Sequence, residues 1–126
     1  MSEPRPNIVV VDDDAGMNQA IERLLTAAGF QAVPFTSAEA LLEAGIVHLA
    51  ACLVLDIHLP GISGFDLNRQ LVQSGSHAPV IFITAYDDPE SQAEAREAGA
   101  IAYVVKPFAG KTLLTAITRA LEPKMI

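Results

Sequence analysis

Four short apolar runs in this chain each end on a reactive polar side chain. They are residues 8–11 before Asp12, residues 52–55 before Asp56, residues 80–83 before Thr84, and residues 103–105 before Lys106. Continuous apolar runs of this length are typical of strands that are buried on both faces of a parallel sheet. Because the carboxyl ends of parallel strands lie at one edge of the sheet, we expect these carboxylates, the hydroxyl and the ammonium to converge.

Between the runs, apolar residues fall at the spacing of helices. At positions 17, 21, 24, 25 and 28 they recur at intervals of three and four before Gly29, which is placed to end a helix. Helix starts are predicted at Ser37 and at Asp88, which precedes Pro89. A further strand at 31–35 contains Pro34, which cannot donate a ladder hydrogen bond and therefore indicates a sheet edge. The alternation predicts five strand–helix units.

Five such units with short connections predict an α/β fold, a doubly wound (βα)5 five-stranded parallel sheet with helices on both faces. The strand order 2-1-3-4-5 puts the strand that contains Pro34 at an edge. It also places the ligand-binding switch point between the first and third strands, where Asp12, Asp13 and Asp56 would meet. We expect one domain over residues 1–126, with an ordered core of about 7–121 and fraying ends at 1–6 and 122–126.

The amino-acid composition limits which classes of molecule this chain is expected to bind. The 126 residues are 51% hydrophobic and carry a formal net charge of −7. This charge argues against nucleic-acid binding by this domain, since phosphate contacts need clustered Lys and Arg. The single cysteine, Cys52, excludes an intramolecular disulfide. No apolar run approaches the roughly 20 residues that span a bilayer. The sequence therefore predicts a cytoplasmic protein with protein partners and no membrane contact.

The three consecutive aspartates 12–14 and Asp56 indicate a metal site. Carboxylates crowded into a partly dry site repel one another and need a cation. A hard divalent ion such as Mg²⁺ prefers oxygen ligands, and we assign Asp13 and Asp56 as direct ligands. Helix capping is the alternative, but it explains only one aspartate, Asp14, and leaves Asp12 and Asp13 unexplained.

Thr84 and Lys106 suit the chemistry of phosphoryl transfer. An aspartate can attack phosphorus, and the acyl phosphate that forms needs its charge neutralised by a metal and a nearby cation. Lys106 ends a strand and could supply that cation, although many lysines merely extend to solvent. The Thr84 hydroxyl could donate to a phosphoryl oxygen, or it could serve only a local turn.

Taken together, the motifs resemble a known family over nearly the whole chain. They are Val-Val-Asp-Asp at 10–13, Asp-Ile-His-Leu-Pro-Gly-Ile-Ser-Gly at 56–64, Ile-Thr-Ala at 83–85 and Lys-Pro-Phe at 106–108. In this order and spacing the chain resembles the receiver domain of the response regulators of bacterial two-component signalling. The resemblance implies a flavodoxin-like receiver fold, from which the strand order 2-1-3-4-5 given above is partly taken, and a cis peptide before Pro107.

The resemblance also implies roles for residues. Asp56 would be the phosphoacceptor, which takes a phosphoryl group from a sensor histidine kinase or a histidine phosphotransfer protein. Asp12, Asp13, Asp56 and the backbone carbonyl of His58 would hold Mg²⁺, with Mn²⁺ as an alternative ion. Thr84 and Lys106 would contact the phosphoryl group. Such a domain is not an enzyme acting on other molecules, but it catalyses its own Mg²⁺-dependent phosphotransfer and autodephosphorylation.

In this family the signal would pass from the site to one face. Thr84 and Tyr103 would form the switch pair, although Tyr103 could equally be an ordinary half-buried strand tyrosine. The helix after Asp88 has a weak apolar face, formed by alanines 93, 95 and 98, which should anchor it loosely. Helical residues near 90–98 and 111–121 would then control an output domain or a homodimer. His58 and Tyr86 flank the pocket and should tune the lifetime of the phosphorylated state.

Two rival functions remain. A haloacid-dehalogenase-type phosphatase would use Asp12 as nucleophile, with Asp14, Thr84 and Lys106 imitating its motifs. That interpretation leaves Asp56 without a role, and no acidic pair follows Lys106 to hold the metal. A receiver-like adaptor that is never phosphorylated is the second rival, and the intact acidic set argues against it.

Overall fold

The computed structural model describes residues 5–122 as strands and helices in strict alternation. The strands are β1 (Asn7–Val11), β2 (Gln31–Phe35), β3 (Cys52–Asp56), β4 (Val80–Thr84) and β5 (Ala102–Val105). The helices are α1 (Ala15–Ala27), α2 (Ala38–Ala44), α3 (Gly64–Gln73), α4 (Pro89–Glu97) and α5 (Gly110–Leu121), and a 3-10 helix at Val47–Leu49 precedes β3. The predicted fraying at 1–6 and 122–126 lies largely outside the described residues.

All five strands are parallel, in the order β2-β1-β3-β4-β5. This confirms the predicted doubly wound sheet. Pro34 lies in β2, the edge strand, where its missing N–H costs no ladder bond. Asp56 lies opposite Ile83, and Thr84 lies opposite Val105. The register therefore sets the carboxyl ends of β3, β4 and β5 side by side.

Two hydrophobic cores cover the two faces of the sheet. On one face Val9, Leu53 and Phe82 pack against helices α2, α3 and α4. On the other face Val54 and Ile81 and their neighbours pack against α1 and α5. Each fully buried aliphatic or aromatic side chain contributes roughly 1.5–3 kcal/mol, so the strands are held from both sides. The loops that follow the carboxyl ends of the strands therefore begin at fixed positions.

Side-chain caps fix where the helices begin. Asp14 Oδ1 accepts hydrogen bonds from the N–H groups of Gly16 and Met17, at 2.9 and 3.2 Å. Asp88 Oδ1 accepts from the N–H of Ser91 at 2.7 Å. Ser37 caps α2 in the same way. The predicted starts at Ser37 and Asp88 are confirmed, and Asp14 is accounted for as a cap.

The helical spacing of apolar residues predicted that two alanines lie on the inward faces of their helices, and for both the prediction is wrong. Ala28 and Ala98 are both exposed, because each lies at the C-cap, where the helical periodicity stops. Helix α4 buries only Ser91 and Ala95. Ser91 is tolerated there because its hydroxyl donates to Asp88 Oδ2 at 3.2 Å. The loose anchoring predicted for α4 therefore rests on a still smaller apolar face.

The peptide bond between Lys106 and Pro107 is cis, as the resemblance implied. Among residues 5–122, no helix combines the length and the apolar character needed to cross a bilayer.

Candidate functional site

Charged side chains meet at the carboxyl edge of the sheet, as the sequence predicted. Lys106 Nζ donates to Asp12 Oδ2 at 2.6 Å and to Asp56 Oδ2 at 3.0 Å. Asp12 is fully buried and Asp56 is 4% exposed. One ammonium therefore links the ends of β1 and β3 from the loop after β5. Close ion pairs of this kind persist in low dielectric only when both partners are well bonded.

The acidic groups form a cluster that one ammonium does not neutralise. Asp12, Asp13 and Asp56 each offer a carboxylate oxygen, and these oxygens lie within 4.8 Å of one another. Burial raises the pKa of Asp12, and the negative charge of Asp56 raises it further. Three carboxylates facing one lysine leave a negative excess. Oxygen donors with such an excess fit a hard divalent cation such as Mg²⁺.

The pKa of Lys106 shows which effect prevails at the site. Burial disfavours its ammonium, but hydrogen bonds to Asp12 and Asp56 outweigh burial and raise the pKa of Lys106. The lysine is therefore charged across the physiological range. Its side chain is largely buried, in contrast to the alternative of a lysine that extends to solvent.

Backbone groups hold the two buried carboxylates in place. The N–H of His58 donates to Asp56 Oδ1 at 3.0 Å, and the N–H of Asp14 donates to Asp12 Oδ1 at 2.9 Å. Gly64 begins α3 against the backbone of Asp56, where a Cβ atom would collide with the Asp56 carbonyl oxygen. Only glycine fits this close approach. Each carboxylate thus keeps a second oxygen facing Lys106.

Thr84 is fully buried at the end of β4, and its hydroxyl is engaged in its own loop. Oγ1 donates to the carbonyl of Tyr86 at 3.0 Å and accepts from the N–H of Tyr86 at 3.0 Å. This is the local-turn role that the sequence left open. A contact with a phosphoryl group would require the bond to the Tyr86 carbonyl to be exchanged.

His58 and Tyr86 lie next to each other beside the site. Their ring centroids are 5.3 Å apart in an edge-to-face arrangement, and Tyr86 is 68% exposed. The backbone N–H of each bonds to a candidate site residue, Asp56 and Thr84 respectively. His58 and Tyr86, which the sequence predicted to flank the pocket, are therefore in contact with each other.

Tyr103 lies half-buried in β5 and packs against the core on the α2–α4 face. Its hydroxyl oxygen is buried and has no hydrogen-bond partner among residues 5–122. Burial raises the pKa of Tyr103, and the negative charge of Asp87 adds to the shift. The ring is therefore half-buried, and the role of Tyr103 in a switch stays a prediction.

Sequence reasoning missed Asn18. Its Nδ2 donates to the carbonyl of Asp12 at 2.8 Å and to the carbonyl of Phe35 at 3.0 Å. A signal was present, since positions 18, 21 and 25 share the inward face of α1 and only Asn18 among them is polar. A polar residue at a buried helical position needs a hydrogen-bonding reason.

Comparison with known proteins gives a consistent result. The family model described as the response regulator receiver domain matches residues 8–118. Nodulation protein W of Bradyrhizobium diazoefficiens is 36% identical over 115 residues, which is 91% of this chain and 51% of that protein. The chain thus spans about half the length of the curated relatives it matches.

Solved structures show the same fold. The response regulator StyR superposes with a TM-score of 0.85 at 39% identity, covering 93% of this chain and 59% of that one. The BeF3-activated receiver domain of DrrB, from Thermotoga maritima, also gives a TM-score of 0.85, at 32% identity over 94% of this chain and 99% of that one.

Proposed function

Since the chain belongs to the response regulator receiver domain family, we propose that Asp56 accepts a phosphoryl group in a Mg²⁺-dependent reaction. The donor would be a sensor histidine kinase or a histidine phosphotransfer protein. One observation carries the proposal: Lys106 Nζ lies 3.0 Å from Asp56 Oδ2, and the oxygens of Asp12 and Asp13 lie beside it. A carboxylate nucleophile, a fixed cation and a set of metal ligands are the parts that phosphoryl transfer requires.

Each residue of the site would have a separate role in this reaction. A carboxylate oxygen of Asp56 attacks phosphorus while the bond from phosphorus to the donor nitrogen breaks, and the imidazole leaves with the bonding pair. Lys106 holds positive charge at the forming acyl phosphate. The metal ligands would be Asp12, Asp13, Asp56 and the carbonyl of His58, and Mg²⁺, when bound there, would neutralise negative charge on the phosphoryl oxygens. Thr84 would donate to one of those oxygens after releasing Tyr86.

The product would be the phosphorylated domain itself, which would transmit a signal and would not be released as a metabolite. We propose that exchange of the Thr84 bond is sensed by Tyr103 and alters the face formed by α4, β5 and α5. That face would control an output domain or a homodimer, in a cytoplasmic pathway. The acidic net charge of −7 supports protein partners over direct nucleic-acid binding by this domain. Loss of the phosphoryl group would proceed by autodephosphorylation at the same site.

A phosphatase that uses Asp12 as nucleophile is less well supported by the geometry. Such an enzyme would need Asp14 as a free acid–base group, but Asp14 Oδ1 accepts two backbone hydrogen bonds at the start of α1. That interpretation also leaves Asp56, which is bonded to the same ammonium as Asp12, without a role. A receiver-like adaptor without phosphorylation would not require three carboxylates to lie so close together.

The test is the mass of the intact protein after incubation with acetyl phosphate and Mg²⁺. Wild type should gain one phosphoryl group, and Asp56→Asn should gain none. Asp12→Asn should gain much less than wild type, since it removes a metal ligand. Asp66→Asn is the matched control, because Asp66 is an exposed carboxylate in α3, outside the acidic cluster, and it should label like wild type. Labelling retained by Asp56→Asn would refute the proposal, and labelling that depends on Asp12 alone would favour the phosphatase.

A further inference from the structure

Asn18 is a buried polar residue that the proposed chemistry does not use. It lies in α1 and is 5% exposed, on the face that also carries Ile21 and Leu25. Its Oδ1 atom is buried without a hydrogen-bond partner among residues 5–122. An apolar residue at this position would avoid burying that unpaired atom. The amide therefore needs a reason beyond packing.

The contacts of its amide nitrogen supply that reason. Nδ2 donates to the carbonyl of Asp12 at 2.8 Å and to the carbonyl of Phe35 at 3.0 Å. The same Phe35 carbonyl accepts from the N–H of Asp12 at 3.1 Å. Both polar groups of the Asp12 main chain are thus bonded, the N–H to the end of β2 and the carbonyl to α1. Asn18 joins the ends of β1 and β2 at the residue that begins the acidic loop.

Fixing the Asp12 carbonyl also fixes the residue that follows. The carbonyl of Asp12 and the N–H of Asp13 belong to one planar peptide unit, so its orientation sets the direction in which Asp13 leaves the strand. Asp13 is exposed, whereas Asp12 is held at its carboxylate by Lys106 and by the N–H of Asp14. The Asn18 bond therefore acts chiefly on the ligand that is otherwise least constrained.

We propose that Asn18 is a positioning residue for the metal site, which orients the peptide between Asp12 and Asp13 so that both carboxylates face one cation. The inference rests on the proposed function, because it assumes that these carboxylates bind Mg²⁺. Groups that orient metal ligands without touching the metal strongly affect metal affinity. Asn18 thus lowers the Mg²⁺ dissociation constant by orienting the peptide between Asp12 and Asp13, without touching the ion.

The test is Mg²⁺ titration by isothermal calorimetry, with Mn²⁺ binding followed by electron paramagnetic resonance as a second readout. Asn18→Leu keeps the branched shape and the number of heavy atoms and removes both N–H donors, and we expect it to weaken Mg²⁺ binding by about 10-fold. Asn18→Ala removes the donors without adding bulk, and should weaken binding similarly. The matched control is Leu25→Ala, a cavity variant on the same face of α1, which should lower thermal stability and leave Mg²⁺ affinity unchanged.

A second measurement separates positioning from damage to the fold. The rate of labelling by acetyl phosphate should fall in Asn18→Leu at limiting Mg²⁺ and recover towards wild type at saturating Mg²⁺. A rate that stays low at saturation would overturn the positioning role, and so would Mg²⁺ affinities in both Asn18 variants equal to that of wild type. Absence of Mg²⁺ binding by wild type is a different outcome, which would refute the proposed function itself.

Discussion

At the scale of single residues, Lys106 has the central position. It bonds two carboxylates that would otherwise repel each other, Asp12 at 2.6 Å and Asp56 at 3.0 Å. The pKa of Asp12 is nevertheless raised, by burial first, which shows that the ammonium does not fully offset the cost of desolvation. The resting site is therefore bonded but under-neutralised, and this favours uptake of a further cation.

The contact between His58 and Tyr86 leads to a prediction about lifetime. The two rings are 5.3 Å apart and the backbone N–H of His58 bonds to Asp56, so we expect the pair to restrict the approach of water to Asp56. We expect the phosphoryl group on the double variant His58→Ala, Tyr86→Ala to be lost several-fold faster than on wild type. The measurement is decay of the phosphorylated mass after acetyl phosphate is removed. His48→Ala is the control, as an exposed histidine in the 3-10 helix before β3. Equal decay rates in all three proteins would contradict the prediction.

Tyr103 gives a pH dependence with a defined sign. Burial raises its pKa above the usual 10.0, so the folded state favours the neutral phenol. The associated stability is complete below pH 10 and is lost as the pH rises through the folded-state pKa. The chain has two tyrosines, so absorbance at 295 nm can be assigned. We expect Tyr103→Phe to abolish a titration step above pH 10 and to flatten the alkaline loss of stability. A high step that survives in Tyr103→Phe would show that the assignment is wrong.

At the scale of elements, α4 is the one α-helix among residues 5–122 that buries no leucine, isoleucine or phenylalanine. It buries only Ser91 and Ala95, while α5 buries Leu113, Ala116 and Ile117. An exposed ion pair, from Arg69 of α3 to Glu94 at 3.1 Å, adds to its anchoring. Exposed ion pairs of this kind contribute about 0–1 kcal/mol, far less than a buried leucine would. The start of α4 therefore depends strongly on its cap.

This dependence can be tested by removing caps one at a time. Asp88→Ala removes the acceptor of the 2.7 Å bond from the N–H of Ser91 and should destabilise α4 relative to the rest of the fold by about 1 kcal/mol. We expect amide hydrogen exchange to accelerate throughout α4 and to remain unchanged in α5. Ser37→Ala is the matched control, because it removes the corresponding cap of α2. If Asp88→Ala left exchange in α4 at the wild-type rate, the account of its weak anchoring would be wrong.

At the scale of the whole molecule, the sheet makes the acidic site part of global stability. Asp12, Asp13 and Asp56 come from the ends of two neighbouring strands that pair only in the folded state. A cation that binds them therefore binds the folded state and not the unfolded chain. Metal binding and folding should be coupled.

We expect Mg²⁺ at 100 times its dissociation constant to raise the free energy of unfolding by about 2.7 kcal/mol. Denaturant unfolding with and without Mg²⁺ measures the increment. Asp13→Asn should lose most of it, and because Asp13 is exposed the substitution disturbs no packing. Asp66→Asn should retain the full increment. An undiminished increment in Asp13→Asn would remove Asp13 from the ligand set.

The sequence by itself determined the architecture and most members of the site. Short apolar runs that alternate with helical spacing predict parallel strands, whose carboxyl ends share one edge for purely geometric reasons. Asp12, Asp56, Thr84 and Lys106 could therefore be grouped without coordinates. Caps such as Asp88 were predictable because they depend on neighbours within three residues.

Only the tertiary structure decided how those side chains bond. Lys106 and Asp12 are 94 positions apart in the chain, and no local pattern reveals which oxygen the ammonium reaches. The engagement of Thr84 with Tyr86, and of Asn18 with the carbonyls of Asp12 and Phe35, likewise depends on the packed fold. Periodicity says which face a residue occupies, whereas hydrogen bonds depend on distances of a few tenths of an ångström that packing alone sets.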